Sequence, residues 1–248
     1  MSVFKDYSNY YDLLYNDKDY ASEVEYIHSL IQAECPKAKT ILNLGCGTGK
    51  HDFLLAQKGY NITAVDLSST MIDIAKKNNE SDHIEFSIGD IRSLKLDSKF
   101  DVVISMFHVM SYQVEDADLN AAFSTAKTHL KEDGVFIFDC WNATGVLSDP
   151  PHKRVKNVEN ENMKIHRKTT PISLPEKNCV DVIFDIEISN KETDESFEIS
   201  ETHRMRYLFP EELQTAGKNA GLQMAKSYKW LTTKTPEHSD WYSLYIFR

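Results

Sequence analysis

The residues best suited by type and spacing to do chemistry stand at the ends of three successive apolar runs. Thr40-Ile41-Leu42-Asn43-Leu44 leads straight into Gly45-Cys46-Gly47-Thr48-Gly49, and 51–58 (HDFLLAQK) then carries a helical pattern as far as Gly59. A glycine turn between strand and helix lets a ligand approach the backbone and offers it the free N–H groups and positive dipole end of the helix. Asp66 stands 21 residues after Gly45, at the end of Ile62-Thr63-Ala64-Val65. A carboxylate there can accept hydrogen bonds from both hydroxyls of an adenosine ribose. A third run, 84–88, ends on Gly89-Asp90-Ile91, where Asp90 can accept from an adenine amino group while the amide of Ile91 donates to the ring. Alone, Asp66 could be a helix cap and the glycine turn is a weak signal. In register, the three ends describe one adenosine site. The glycine spacing is GxGxG, and Lys50 stands where a nicotinamide fingerprint wants its third glycine, which disfavours a dinucleotide oxidoreductase.

These ends need elements to hold them. Phe100-Asp101-Val102-Val103-Ile104-Ser105-Met106 gives a fourth strand, and Val135-Phe136-Ile137-Phe138-Asp139 a fifth behind a helix over 116–131. Ser68 can cap a helix over 69–77, while Val24, Ile27, Leu30 and Ile31 give 19–34 an amphipathic pattern that Pro36 ends. Near-continuous apolar strands alternating with helices predict an α/β fold whose parallel sheet is covered on both faces. The pattern changes after Trp141: 142–162 is expected to be polar loop, and 163–170, 180–189 and 197–208 are β-rich with no helix between them. They predict an antiparallel insert. A helix from Phe209 to near Gly221 and strands over 224–231 and 241–247 close the chain. An insert beyond the carboxyl end of a central strand lies where open α/β sheets hold ligands, so it is expected to bind an acceptor. One domain is expected: 1–39 an aromatic cap and helix, 40–141 the cofactor-binding core, 142–208 the insert, and 209–248 the closing helix and strands.

Composition narrows the partners. The length suits one elaborated α/β domain, and 41% hydrophobic with 27% charged residues predicts a chain that folds throughout. No apolar run approaches the ~18 residues of a membrane span, and MSVFKDYSNYYD is no secretion signal, so a cytoplasmic protein is expected. A formal net charge of -10 disfavours nucleic acid and anionic membranes and favours a small-molecule acceptor, with a homodimer as a further option. Cys35, Cys46, Cys140 and Cys179 form no CxxC pair, so no metal or redox site is expected. Between its glycines, Cys46 needs only to be small.

The stretches LNLGCGTG at 42–49, Val65-Asp66-Leu67-Ser68, Gly89-Asp90-Ile91 and Phe100-Asp101-Val102-Val103 resemble, in order and spacing, the motifs of the class I S-adenosylmethionine-dependent methyltransferases. The resemblance covers roughly 40–140. It implies a Rossmann-like sheet of seven strands, the last inserted antiparallel, with S-adenosyl-L-methionine as cofactor. It also implies that Gly45 and Gly47 approach the methionine part, Asp66 the ribose, and Asp90 and Ile91 the adenine. Leu67 and Met71 would be apolar walls, and Met106 would lie near the sulfonium. Asn43 departs from the pattern, since most members carry an acid two positions before the first glycine.

The leader Tyr7, Tyr10, Tyr11-Asp12, Tyr15, Lys18-Asp19-Tyr20 is similar to that of the amino-sugar N-methyltransferases, as is Met106-Phe107. The similarity implies that the leader folds over the cofactor, with Tyr15 and Tyr20 flanking cofactor and acceptor. It implies an acceptor amine on a nucleotide-linked sugar. The chain departs by being shorter between Tyr15 and Lys18 and by carrying Tyr112 where some relatives have histidine. A packed aromatic cap is the plainer account of these tyrosines. His108 could accept a proton or orient the acceptor, or be structural; Asp139, Trp141 and Tyr112 are further acceptor-side candidates. His152-Lys153-Arg154 and Lys164, His166, Arg167 and Lys168 could clamp a diphosphate or be solvated charges. The alternatives kept are an O-methyltransferase acting on a hydroxyl or carboxylate, and a non-catalytic cofactor-binding regulator.

Overall fold

The computed structural model describes residues 8–193 and 195–248. Tyr7 of the leader lies outside the described residues. The apolar runs pair as a seven-stranded sheet because each offers side chains to both of its faces. β1 (Thr40–Leu44), β2 (Asn61–Asp66), β3 (Ile84–Ile88), β4 (Phe100–Ser105) and β5 (Leu130–Trp141) are joined by β10 (Met224–Lys229) and β11 (Tyr242–Phe247) in the order β10-β11-β5-β4-β1-β2-β3. β1 to β5 run parallel, and β11 lies antiparallel between β5 and β10.

Alternation along the strands divides the core in two. Ile41, Ile104 and Ile137 pack with Val24, Ile27, Leu55 and Ile72 from α2 (Tyr20–Glu34), α3 (Lys50–Gln57) and α4 (Ser69–Lys77). Their neighbours Leu42, Val103 and Phe136 face the other way, onto Leu119, Phe123 and Leu213 of α5 (Asp116–His129) and α7 (Pro210–Ala220). This places the carboxyl ends of β1 to β5, and the turns that follow them, along one edge of the sheet.

The segment expected as polar loop is structured. It holds α6 (Ala143–Ser148) and β6 (Arg154–Glu159), so the second sheet has four antiparallel strands, β6, β7 (Met163–Leu174), β8 (Cys179–Asn190) and β9 (Ser196–Arg206), rather than three. α6 is too short to show a period, and the valines of β6 are broken by the charges common on an edge strand. β5 is also longer than expected, starting at Leu130 beside a register shift in its pairing with β4. The insert leaves and rejoins the core at adjacent points: the Leu208 amide donates to the Trp141 carbonyl (2.9 Å) and the Ala143 amide to the Leu208 carbonyl (3.1 Å).

The leader forms α1 (Ser8–Leu14). It ties both parts together: Leu14 is fully buried among Ile165, Ile186 and Ile188 of the insert, while Asp12 accepts from Thr48 Oγ1 (2.7 Å) and pairs with Lys50 at the start of α3. No helix among the described residues is long and apolar enough to cross a membrane.

Candidate active site

A cavity of about 610 Å³ opens over the carboxyl ends of the strands and is roofed by α1 and the insert. Tyr15, Tyr20, Gly45, Gly47, Asp66, Leu67, Met71, Asp90, Ile91, Met106, His108 and Tyr112 all line it, so the residues singled out in the sequence converge.

At the β1 end, the amides of Gly45 and Cys46 both donate to the Val65 carbonyl (2.8 and 2.9 Å), which binds the glycine turn to the end of β2. Gly47 has φ +56°, and a Cβ there would meet nothing within 4 Å. That conformation suits glycine, and the empty space beside it gives a ligand access to the backbone. The Gly47 amide donates to Asp66 Oδ2 (2.9 Å) and the Ser68 amide to Oδ1 (2.8 Å), which fixes the carboxylate. Burial raises its pKa despite these bonds. Leu67 is half-exposed beside it, and Ser68 caps α4 by accepting from the Met71 amide. Asp90 is clasped by Arg92 through Nε and Nη2, and these bonds hold its carboxyl below the usual range. A glycine with room for a ligand, a fixed carboxylate and apolar neighbours fit an adenosine-bearing cofactor.

The β4 end carries an unusual stretch of backbone. Phe107 and His108 are consecutive non-glycine residues with φ +64°. Such residues cost of order 1–3 kcal/mol each and persist only where the surroundings enforce them. Here the His108 ring stacks on Tyr242 (4.5 Å) and its Nδ1 lies 2.5 Å from Oδ2 of the fully buried Asp139, which also accepts from the His108 amide. Burial opposes the charge on Asp139, but the adjoining His108 outweighs it and the carboxyl lies below its ordinary value. A second cavity of about 250 Å³ adjoins the first, sharing Tyr15, Phe107 and His108 and adding Trp230 and Tyr242.

Two sets of site residues escape sequence reasoning. Val182, Phe184, His203 and Met205 of the insert line the cavity, and Tyr112 Oη shares a hydrogen bond with His203 Nδ1 (2.8 Å), whose Nε2 meets Glu201 (3.3 Å). The second is Asp52, fully buried behind the cavity and bonded to Asn43. Its only sequence signal is an acid beside His51 on the inner side of a short helix that also buries Leu55 and Ala56. The basic residues that the sequence leaves open as a diphosphate clamp or as solvated charges, within 152–154 and 164–168, do not line either cavity. Arg167 instead packs on the rings of Tyr15 and Phe184 and donates to Tyr15 Oη (3.3 Å), and His166 bonds Asn157. Among the described residues, no cluster of three or more His, Cys, Asp or Glu is placed to hold a metal.

Comparison with known proteins gives three kinds of match. The family described as "Methyltransferase domain" matches residues 41–134. A Geobacillus sp. (strain WCH70) protein, named provisionally as a methyltransferase, is 34% identical over 70% of this chain and 71% of its own length. The dTDP-3-amino-3,4,6-trideoxy-alpha-D-glucopyranose N,N-dimethyltransferase of Streptomyces venezuelae is 32% identical over 55% of this chain; the match spans 57% of that enzyme's length. In fold, the crystal structure of an S-adenosylmethionine-dependent methyltransferase from Clostridium acetobutylicum ATCC 824 superposes with a TM-score of 0.80, covering 97% of this chain and 96% of that one at 24% identity.

Proposed function

This chain belongs to the S-adenosylmethionine-dependent methyltransferases, and on that premise we propose that it methylates the amine of a nucleotide-linked amino sugar. Gly45 and Gly47 would admit the methionine part of the donor, Asp66 would accept from the ribose hydroxyls, and Asp90 with the Ile91 amide would hold the adenine between Leu67 and Met71. Met106 would sit near the sulfonium, with Tyr15 and Tyr20 closing over it from the leader. When bound, the donor supplies a methyl group already activated on a sulfonium, so the protein has mainly to desolvate a neutral nucleophile and hold it at near-attack distance.

The observation that carries the acceptor side is the His108–Asp139 pair where the two cavities meet. With Nδ1 against the Asp139 carboxylate, Nε2 is the ring nitrogen left to take a proton from the acceptor. An ammonium beside a sulfonium is electrostatically disfavoured, so the site itself favours the neutral amine and asks only modest help from His108. A hydroxyl acceptor would depend on the same pair far more.

Matched amino- and hydroxy-sugar nucleotides, assayed by added methyl mass, separate the two. The amino compound is expected to be methylated, with His108→Ala slowing it by less than the ~10²–10⁴-fold typical of an obligatory base. If only the hydroxy compound gains mass and His108→Ala is inert, the acceptor is a hydroxyl.

A further inference from the structure

The insert sets a buried polar line among Val182, Phe184 and Met205 at the wall of the larger cavity. Glu201 and His203 stand two residues apart on β9, opposite Phe184 and Val182 of β8, so both side chains lie on the same face of the sheet. His203 is 1% exposed and meets the Phe184 ring edge-on at 5.0 Å. Its Nδ1 shares a hydrogen bond with Tyr112 Oη (2.8 Å), and its Nε2 shares one with Glu201 Oε2 (3.3 Å). Tyr112 comes from the turn after β4 and packs against the cluster that holds Val182 and Met205. Burial, together with Tyr15, Asp66 and Glu201, holds its pKa well above the ordinary value. The phenol therefore keeps its proton, and it stands within electrostatic reach of the leader, the carboxylate after β2 and the insert.

We propose that Glu201, His203 and Tyr112 form an orienting line for the methyl acceptor: Glu201 keeps the His203 hydrogen on Nε2, Nδ1 takes the hydrogen of Tyr112, and the phenol oxygen receives an N–H of the acceptor amine. Tyr112 touches the acceptor, whereas His203 and Glu201 are positioning residues that act through it. The line rests on the amine reading given above and adds to it a group that fixes where the nitrogen points.

The order of donors follows from the three partners. A carboxylate has no hydrogen to give, so the ring nitrogen facing Glu201 carries one. A neutral imidazole is then bare at its other nitrogen, and a protonated phenol donates to it. Without His203 the same phenol could turn its hydrogen into the cavity, where it would bind the lone pair that has to attack the methyl group. Committed to His203, its oxygen can only accept. An amine that gives one hydrogen to that oxygen has its lone pair held in a fixed direction, which is the condition for attack at near-attack distance. His108 stays outside this line, since its partners are Asp139 and Tyr242. One histidine thus handles the proton and the other points the nitrogen.

Calorimetry on the protein loaded with S-adenosylhomocysteine tests the line. The probes are a dTDP-linked 3-amino-3,6-dideoxyhexose and the same compound with hydrogen in place of the amino group. Wild type is expected to bind the amino compound roughly five- to tenfold more tightly, the worth of one buried hydrogen bond. His203→Leu should erase that preference while leaving the affinities for the deoxy compound and for S-adenosylhomocysteine as they were. Tyr112→Phe, which leaves His203 in place, should do the same. His203→Asn, whose amide oxygen falls near the place of Nδ1, should keep the preference. Turnover gives a second reading: His203→Leu should lower kcat/KM for the amino compound, and lower it no further in the Tyr112→Phe background. Equal weakening of both compounds by His203→Leu makes His203 a packing residue and overturns the line, as does a preference that survives this variant. Those outcomes leave the amine reading standing. A wild type that binds S-adenosylhomocysteine yet never methylates the amino compound overturns the amine reading and the line with it.

Discussion

The two ends of the cavity are built differently. At the proposed donor end, the turns after β1, β2 and β3 present their own backbone and adjacent side chains: Gly47 is bonded across to Asp66 at the next strand end, and Ser68 to Asp66 within one turn. At the proposed acceptor end, the surface is assembled from distant stretches: Tyr112 meets His203 91 residues away, and Tyr15 meets Arg167 at a separation of 152. A site made from contiguous turns can be recognised from a short string. One made by tertiary folding cannot.

If the division is real, substitutions at one end should leave the other untouched. The largest effect is expected at the donor end, where Asp66→Ala should weaken donor binding by roughly 1–3 kcal/mol through loss of a charged acceptor for two hydroxyls. The KM for the acceptor should hardly move, and calorimetry beside steady-state kinetics checks both. Removing the phenol in Tyr112→Phe leaves His203 Nδ1 without that bond and should cost about 1 kcal/mol in acceptor binding, seen as a several-fold rise in acceptor KM. An equal loss of donor affinity would break the comparison. The smallest effect is expected for Tyr15→Phe, which keeps the ring against Phe107 and gives up the hydroxyl that accepts from Arg167. A few-fold fall in kcat with unchanged melting temperature would place the hydroxyl in closure of the site, whereas unchanged kcat would make the ring alone sufficient.

What was legible in the sequence follows the same division. β1, β2, β3 and β4 fall within a residue of the expected runs, and the Ser68 cap forms as expected, because strand, turn and cap are local choices. The six residues of α6 are too few to carry a helical period, and the charges of Arg154-Val155-Lys156 hide an edge strand. The basic residues around Arg167 could not be assigned without knowing which rings they cover. His108 was visible as a candidate, but its left-handed backbone and the reach to Asp139 depend on β4 and β5 lying side by side. Asp52 escaped because helix periodicity marks it only as an acid on an inner face. Its hydrogen-bond partner is Asn43, nine residues earlier and on another element.

The adjacent attachment of the insert, at Trp141 and Leu208, bears on how such a chain can diversify. A segment whose two ends already lie side by side can be exchanged or lengthened without pulling the parent sheet apart, so new specificities can be tried while the donor machinery is inherited intact. The exchange is not free, however, because Leu14 is packed among Ile165, Ile186 and Ile188. Replacing 142–208 alone would strip α1 of its apolar seat, so the insert and α1, far apart in the sequence, have to be exchanged as a linked pair.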